Sequence, residues 1–153
     1  MKFFNFIFIL FVFFTNLQIV SADTIDKGSS IEAKLLLQRA VNLIKSNEIV
    51  GLTMITIQNG GFHNKDLYPF CFNYNGILMA HPYNLGVSIK NFKSDDGVQI
   101  GKQMLNKAEE DKISEISYIL PIYKNGKLTE QKAKKTAFYT KTGKYVCASG
   151  YYK

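Results

Sequence analysis

The chain of 153 residues has only two cysteines, Cys71 and Cys147, two histidines, His63 and His81, and one arginine, Arg39. Without a C-x-x-C pair or a Cys/His cluster at ligand spacing, a structural metal site is excluded. G-x-S-x-G, H-E-x-x-H and phosphate-cradling glycine loops are missing too, which removes the common hydrolase, metalloprotease and nucleotide-binding signatures. Asp66, Asp95 and Asp96 offer carboxylates for acid–base work. Two of them, however, lie in the turn sequence Asp95-Asp96-Gly97, where Asp serves local hydrogen bonding. The expectation is no enzyme, no metal and no cofactor. Repeats and low-complexity segments are absent, and beyond Val20 no run is apolar enough to cross a membrane.

What is present begins at the N-terminus. Phe3 to Phe14 is apolar except at Asn5, Lys2 precedes it, and the polar Thr15, Asn16 and Gln18 follow. Val20-Ser21-Ala22 then supplies the small residues that a signal peptidase needs. Residues 1–22 read as a signal peptide cleaved before Asp23, with a periplasmic or secreted product. The rival is a membrane anchor formed by residues 3–20, close to the ~20 apolar residues of a spanning helix. Residues 23–153 amount to one domain, long enough to bury a core. The net charge of +7 comes almost entirely from lysines scattered among Asn, Ile, Phe and Tyr, which describes a solvated surface and not a nucleic-acid stripe. In an exported chain Cys71 and Cys147 either form one long-range disulfide or stay as buried thiols within apolar strands.

Ser29-Ser30-Ile31-Glu32 is a capping box, and a helix should follow to about Asn47 with Ile31, Leu35, Leu36, Ala40, Leu43 and Ile44 as its apolar stripe. Residues 49–57 are ambiguous. Thr and Ile favour a strand, while Ile49, Leu52 and Ile55 repeat at helical spacing. Residues 67–74 and 77–81 flank Asn75-Gly76, the dipeptide of a type I′ hairpin. Here Tyr68, Phe70, Phe72 and Tyr74 share one strand face, and Leu67, Pro69 and Cys71 the other. A short helix is expected over 98–107, with Ile100 and Met104 inward. Strands are expected at 113–122, 136–140 and 145–151, with Pro121 at an edge and a reversal at Asn125-Gly126. Strands joined by short turns imply an antiparallel sheet, with helices covering one face.

A series of short motifs runs in order along the chain. It starts at Asp66-Leu67-Tyr68, Asn75-Gly76 and Ala80-His81-Pro82, and continues with Lys90-Asn91, Asp95-Asp96-Gly97 and Tyr118. Gly126-Lys127, Lys135 and Ser149-Gly150-Tyr151-Tyr152 complete it. The series, spanning about residues 31–153, resembles the small single Cache domain, the extracytoplasmic sensor module of bacterial chemoreceptors and histidine kinases. The chain departs from that pattern at Pro69 and Cys71, which replace aliphatic residues, at Ser88-Ile89 before Lys90-Asn91, where a glycine is usual, and at Phe138, in a tyrosine position.

The resemblance implies an α+β, PAS-like fold: a five-stranded antiparallel sheet with a long N-terminal helix and shorter helices on one face. It also implies a pocket between the sheet and residues 81–112, sized for a small organic acid or a similar metabolite. A carboxylate there needs fixed donors, and Lys135, Tyr118, His81 and Tyr83 are the candidates. Each has a plainer reading as well. Lys135 is otherwise one of many solvated lysines, His81 a structural residue before Pro82, and Tyr118 a core aromatic; Tyr68 reads as structural, and Asp66 as a cap on the strand that follows. The expected function is small-molecule binding or sensing. No transducing segment follows Tyr152 in the sequence, so a signal would pass to a membrane receptor or kinase partner. The alternative is a protein-interaction module with a filled pocket, supported by Phe138 and the many bulky aromatics.

Overall fold

The computed structural model describes residues 26–124 and 127–153. The expected signal peptide, its cleavage site, the rival anchor and the Asn125-Gly126 reversal lie outside the described residues. No helix among the described residues is long and apolar enough to cross a membrane.

Helix α1 spans Ser30–Ser46 and begins with the expected capping box. The Ser29 N–H donates to Glu32 at 2.7 Å, and the Glu32 N–H donates to Ser29 Oγ at 3.2 Å. Its buried stripe is Ala33, Leu36, Leu37, Ala40, Val41 and Ile44, rotated from the expected one. Ile31 and Leu35 are 72% and 55% exposed. Both stripes contain Leu36, Ala40 and Ile44; the small Ala33 and Ala40 let the helix lie close to the sheet, and that approach decides which flank is buried. Asn47 then caps α2, Glu48–Thr56, its Oδ1 accepting from the Val50 N–H at 3.1 Å. The cap and the burial of Ile55 against α1's side of the molecule resolve the ambiguous segment as helix, over the strand propensity of its Ile and Thr residues.

Strands β1 (Pro69–Asn73) and β2 (Leu78–Ala80) form the expected hairpin, but its turn is of another type. Only Gly76 has positive φ, +80°, and its N–H donates to the Asn73 carbonyl at 2.8 Å. A type I′ turn needs two residues at positive φ; one left-handed glycine after the turn makes a three-residue loop closed by a bulge. Asn73 imposes this by accepting from the N–H groups of Asn75 and Ile77 at 3.0 Å each.

Helix α3 (Ile100–Lys107) buries Ile100 and Met104 as expected. Strands β3 (Ser114–Lys124), β4 (Lys127–Thr142) and β5 (Tyr145–Tyr152) complete an antiparallel sheet of order β2-β1-β5-β4-β3. Pro121 lies on β3, at the sheet edge, beside a break in register. β4 is much longer than its apolar portion predicted. Its lysine-rich first half pairs with β3, so exposed side chains there cost the strand little. The sheet packs on both sides. α1 and α2 cover one face with Leu67, Cys71, Tyr145 and Cys147, while α3 and the loop before it cover the other with Phe70, Phe72, Tyr118 and Val146. The helices thus divide between the faces instead of sharing one, because β1 and β5 bury apolar side chains on both sides. Cys71 and Cys147 are direct cross-strand partners with Cα atoms 4.1 Å apart and form a disulfide.

Candidate functional site

Alternation along the strands builds the site. On β4, Lys135 shares a face with Ala137 and Tyr139, while its neighbour Lys134 points the other way into solvent. The same face carries Tyr68, just before β1, and Phe70 on β1, and on β3 it carries Tyr118. The chain between β2 and α3 arches over this face. Gly101 lets α3 start against the loop backbone, since a Cβ there would lie 2.2 Å from the Ile89 carbonyl oxygen. Beneath the arch is a cavity of about 430 Å³, whose lining includes Tyr68, His81, Tyr118, Tyr123 and Lys135.

Lys135 is 2% exposed, so it is not a solvated lysine. Its Nζ lies 4.4 Å from the centre of the Tyr68 ring and 4.8 Å from that of Tyr152, and donates to the Tyr68 hydroxyl at 3.4 Å. Two aromatic faces partly replace water around the ammonium. Among the described residues none of the ion pairs involves Lys135. Burial pushes its pKa below the ordinary lysine range.

His81 is buried at the start of the arch. Its Nδ1 accepts from the backbone N–H groups of Tyr83 and Asn84 at 3.0 and 3.1 Å. The ring proton therefore sits on Nε2, the nitrogen left to act as a donor. Burial and the Lys135 charge hold its pKa down at about 4, so the ring is neutral near pH 7. Both roles weighed for His81 are combined, since Nδ1 ties the loop and the ring lines the cavity. Burial likewise raises the Tyr118 hydroxyl well above the usual tyrosine range and keeps it protonated as a donor.

Of the four candidate donors, Lys135, Tyr118 and His81 line the cavity. Tyr83 does not line it; its ring stacks on Tyr123 with centroids 5.2 Å apart, and its hydroxyl meets His63 Nε2 at 3.1 Å. Tyr68, read from sequence as structural, is part of the site through its contact with Lys135. The signal available for it was its even spacing with Phe70 on one strand face. Tyr123 and Asn84, joined by a 3.3 Å hydrogen bond, carried no comparable sequence signal. Asp66 does not line the cavity; its Oδ1 accepts from the Gly28 N–H at 2.6 Å and ties down the residue before α1's cap. Phe138 stacks on Tyr151 on the α1 side, so the hydroxyl it lacks would not have reached the cavity.

No family model and no curated protein matches the chain. Solved structures do. A methyl-accepting chemotaxis protein from Vibrio parahaemolyticus RIMD 2210633 superposes with a TM-score of 0.61 at 18% identity, covering 80% of this chain and 86% of that one. The periplasmic sensor domain of a chemotaxis protein gives 0.56 at 16% identity, covering 80% and 88%. A Cache chemosensory domain, solved to explain carboxylic acid recognition, gives 0.55 at 20% identity, covering 80% and 86%. With its five-stranded antiparallel sheet packed by helices, the chain has the α+β fold of Cache-type sensor domains.

Proposed function

We propose that this domain is an extracytoplasmic sensor module that binds a small organic carboxylate over Lys135 and carries out no chemistry of its own. The observation that supports this most is the buried Lys135 ammonium, which faces the cavity and makes no ion pair among the described residues. An unpaired buried charge is costly, and a bound anion would relieve that cost. Tyr118 and neutral His81 supply hydrogen-bond donors around the same space, while the Asp66 carboxylate, held by the Gly28 N–H outside the lining, is an acidic group whose field reaches Lys135. The solved neighbours are sensor domains, one of them of a type that recognises carboxylic acids. A Cys71–Cys147 disulfide is in keeping with an oxidising compartment. A bound ligand would link the sheet to the arch over it, and a membrane receptor or kinase would read the resulting change.

The test is a thermal-shift and calorimetric screen of refolded, ligand-stripped protein against short carboxylates, amino acids and amines. Carboxylates should raise the melting temperature, and Lys135→Met should abolish the response. A protein that answers to amines alone, or to none of these compounds, would refute the proposal.

A further inference from the structure

Exposure sorts the cavity lining by depth. The polar residues Lys135, Tyr118 and His81 are 2%, 2% and 7% exposed and form the floor. At the other extreme, Val87, Phe92 and Leu128 line the same cavity while 51%, 46% and 60% exposed, so they form its mouth. Between them the wall includes Leu78, Ile100 and Leu120. Large apolar side chains on a soluble surface are normally scattered singly, and their convergence on one opening marks a place where apolar matter binds. The charges at the mouth do not offset this. Lys93 and Asp95 contribute one of each sign, and Asp95 is engaged by Lys132 at 3.3 Å. The space is also large for a bare carboxylate, holding the equivalent of roughly 14 waters at ~30 Å³ each.

Resting on the carboxylate reading above, we infer that the ligand is a monocarboxylate with an extended apolar tail, its head on the Lys135 floor and its tail leaving past Val87, Phe92 and Leu128. A second carboxylate at the tail end would leave water for a mouth lined by Val87, Phe92 and Leu128, with Lys93 alone to compensate its lost hydration.

Calorimetric titration of the full, disulfide-intact protein with acetate, butyrate, hexanoate, octanoate, adipate and hexylamine tests this. Affinity should rise about fourfold per added methylene until the tail reaches the mouth. Adipate should bind at least about tenfold more weakly than hexanoate, because its second carboxylate must be desolvated. Phe92→Ser should shrink the ratio of octanoate to butyrate affinity severalfold. Acetate matching hexanoate, adipate surpassing it, or a chain-length slope untouched by Phe92→Ser would overturn the apolar-tail inference while leaving the carboxylate site in place. A slope that persists in Lys135→Met would mean adsorption to apolar surface and would also overturn it. If no acid binds, or hexylamine binds as tightly as hexanoate, the carboxylate site itself fails and the inference falls with it.

Discussion

Under α1, β5 contributes Tyr145 and Cys147 to a core shared with Leu36, Leu37, Ala40 and Ile44; one residue out of step, it turns Val146 and Ala148 toward the cavity side. The first face is mainly aliphatic and stapled by the Cys71–Cys147 bridge. The second is aromatic, partly hollow and built around a buried ammonium that makes no ion pair among the described residues. One side of the sheet thus gathers the stabilising burial, while the other holds desolvated polar groups at a cost to stability, the pattern expected of a binding site.

The largest effect that would sharpen this contrast comes from the stapled face. Changing both Cys71 and Cys147 to Ala should lower unfolding free energy by about 2–4 kcal/mol, since the bridge closes a loop of 76 residues. Carboxylate affinity, measured where the variant is still folded, should hardly change. Chemical denaturation and calorimetry on the same preparation check both halves, and a large affinity loss in folded protein would mean that the faces are coupled.

Lys135→Met should do the reverse. Carboxylate binding should weaken about 100-fold or more, as expected when a charge-assisted contact of roughly 3 kcal/mol is lost. The melting temperature should hold or rise, because an unpaired buried charge has been exchanged for an apolar chain of similar length. A marked drop in stability with binding retained would make Lys135 a structural residue and break the comparison.

His81 adds a pH dependence confined to the cavity side. Its folded pKa, about 4, lies below the ordinary histidine value of 6.5. Between these values the unfolded chain binds more protons than the folded one, so stability falls as pH drops from about 6.5 and levels off below about 4. The loss should be roughly 3 kcal/mol, and it should appear in the wild-type-minus-variant stability difference for His81→Gln. Parallel stability curves for the two proteins across that window would show that His81 is not held neutral by burial.

The smallest effect is at the start of α1. Ser29→Ala removes the acceptor for the Glu32 N–H and should cost about 1 kcal/mol by denaturant melts, with ligand affinity unchanged.

Much of this was legible in the chain. The Ser29–Glu32 box located α1, the alternation of Tyr68, Phe70 and Phe72 located one face of β1 and of the residue before it, and the spacing of Ile100 and Met104 located α3. Local patterns sufficed because each element needs only its own cap, turn or periodicity to declare itself. The apolar flank of α1, the helical state of α2, the bulged turn at Gly76 and the full length of β4 were not legible. Each depends on a neighbour: the sheet for α1, the core under Ile55 for α2, the Asn73 side chain for the turn, and β3 for β4.

The candidate site divides along the same line. Sequence by itself determined the scarcity of catalytic and metal-binding residues and the Asp66-Leu67-Tyr68 to Lys135 motif series that named Lys135, His81 and Tyr118. Only the tertiary structure decided that this lysine is buried between Tyr68 and Tyr152, that His81 is held by two backbone N–H groups, and that Tyr83 stacks behind Tyr123 without lining the cavity. The reason is physical: a lysine's charge is written in its side chain, but whether that charge meets water or an empty pocket depends on chain segments brought together only by folding.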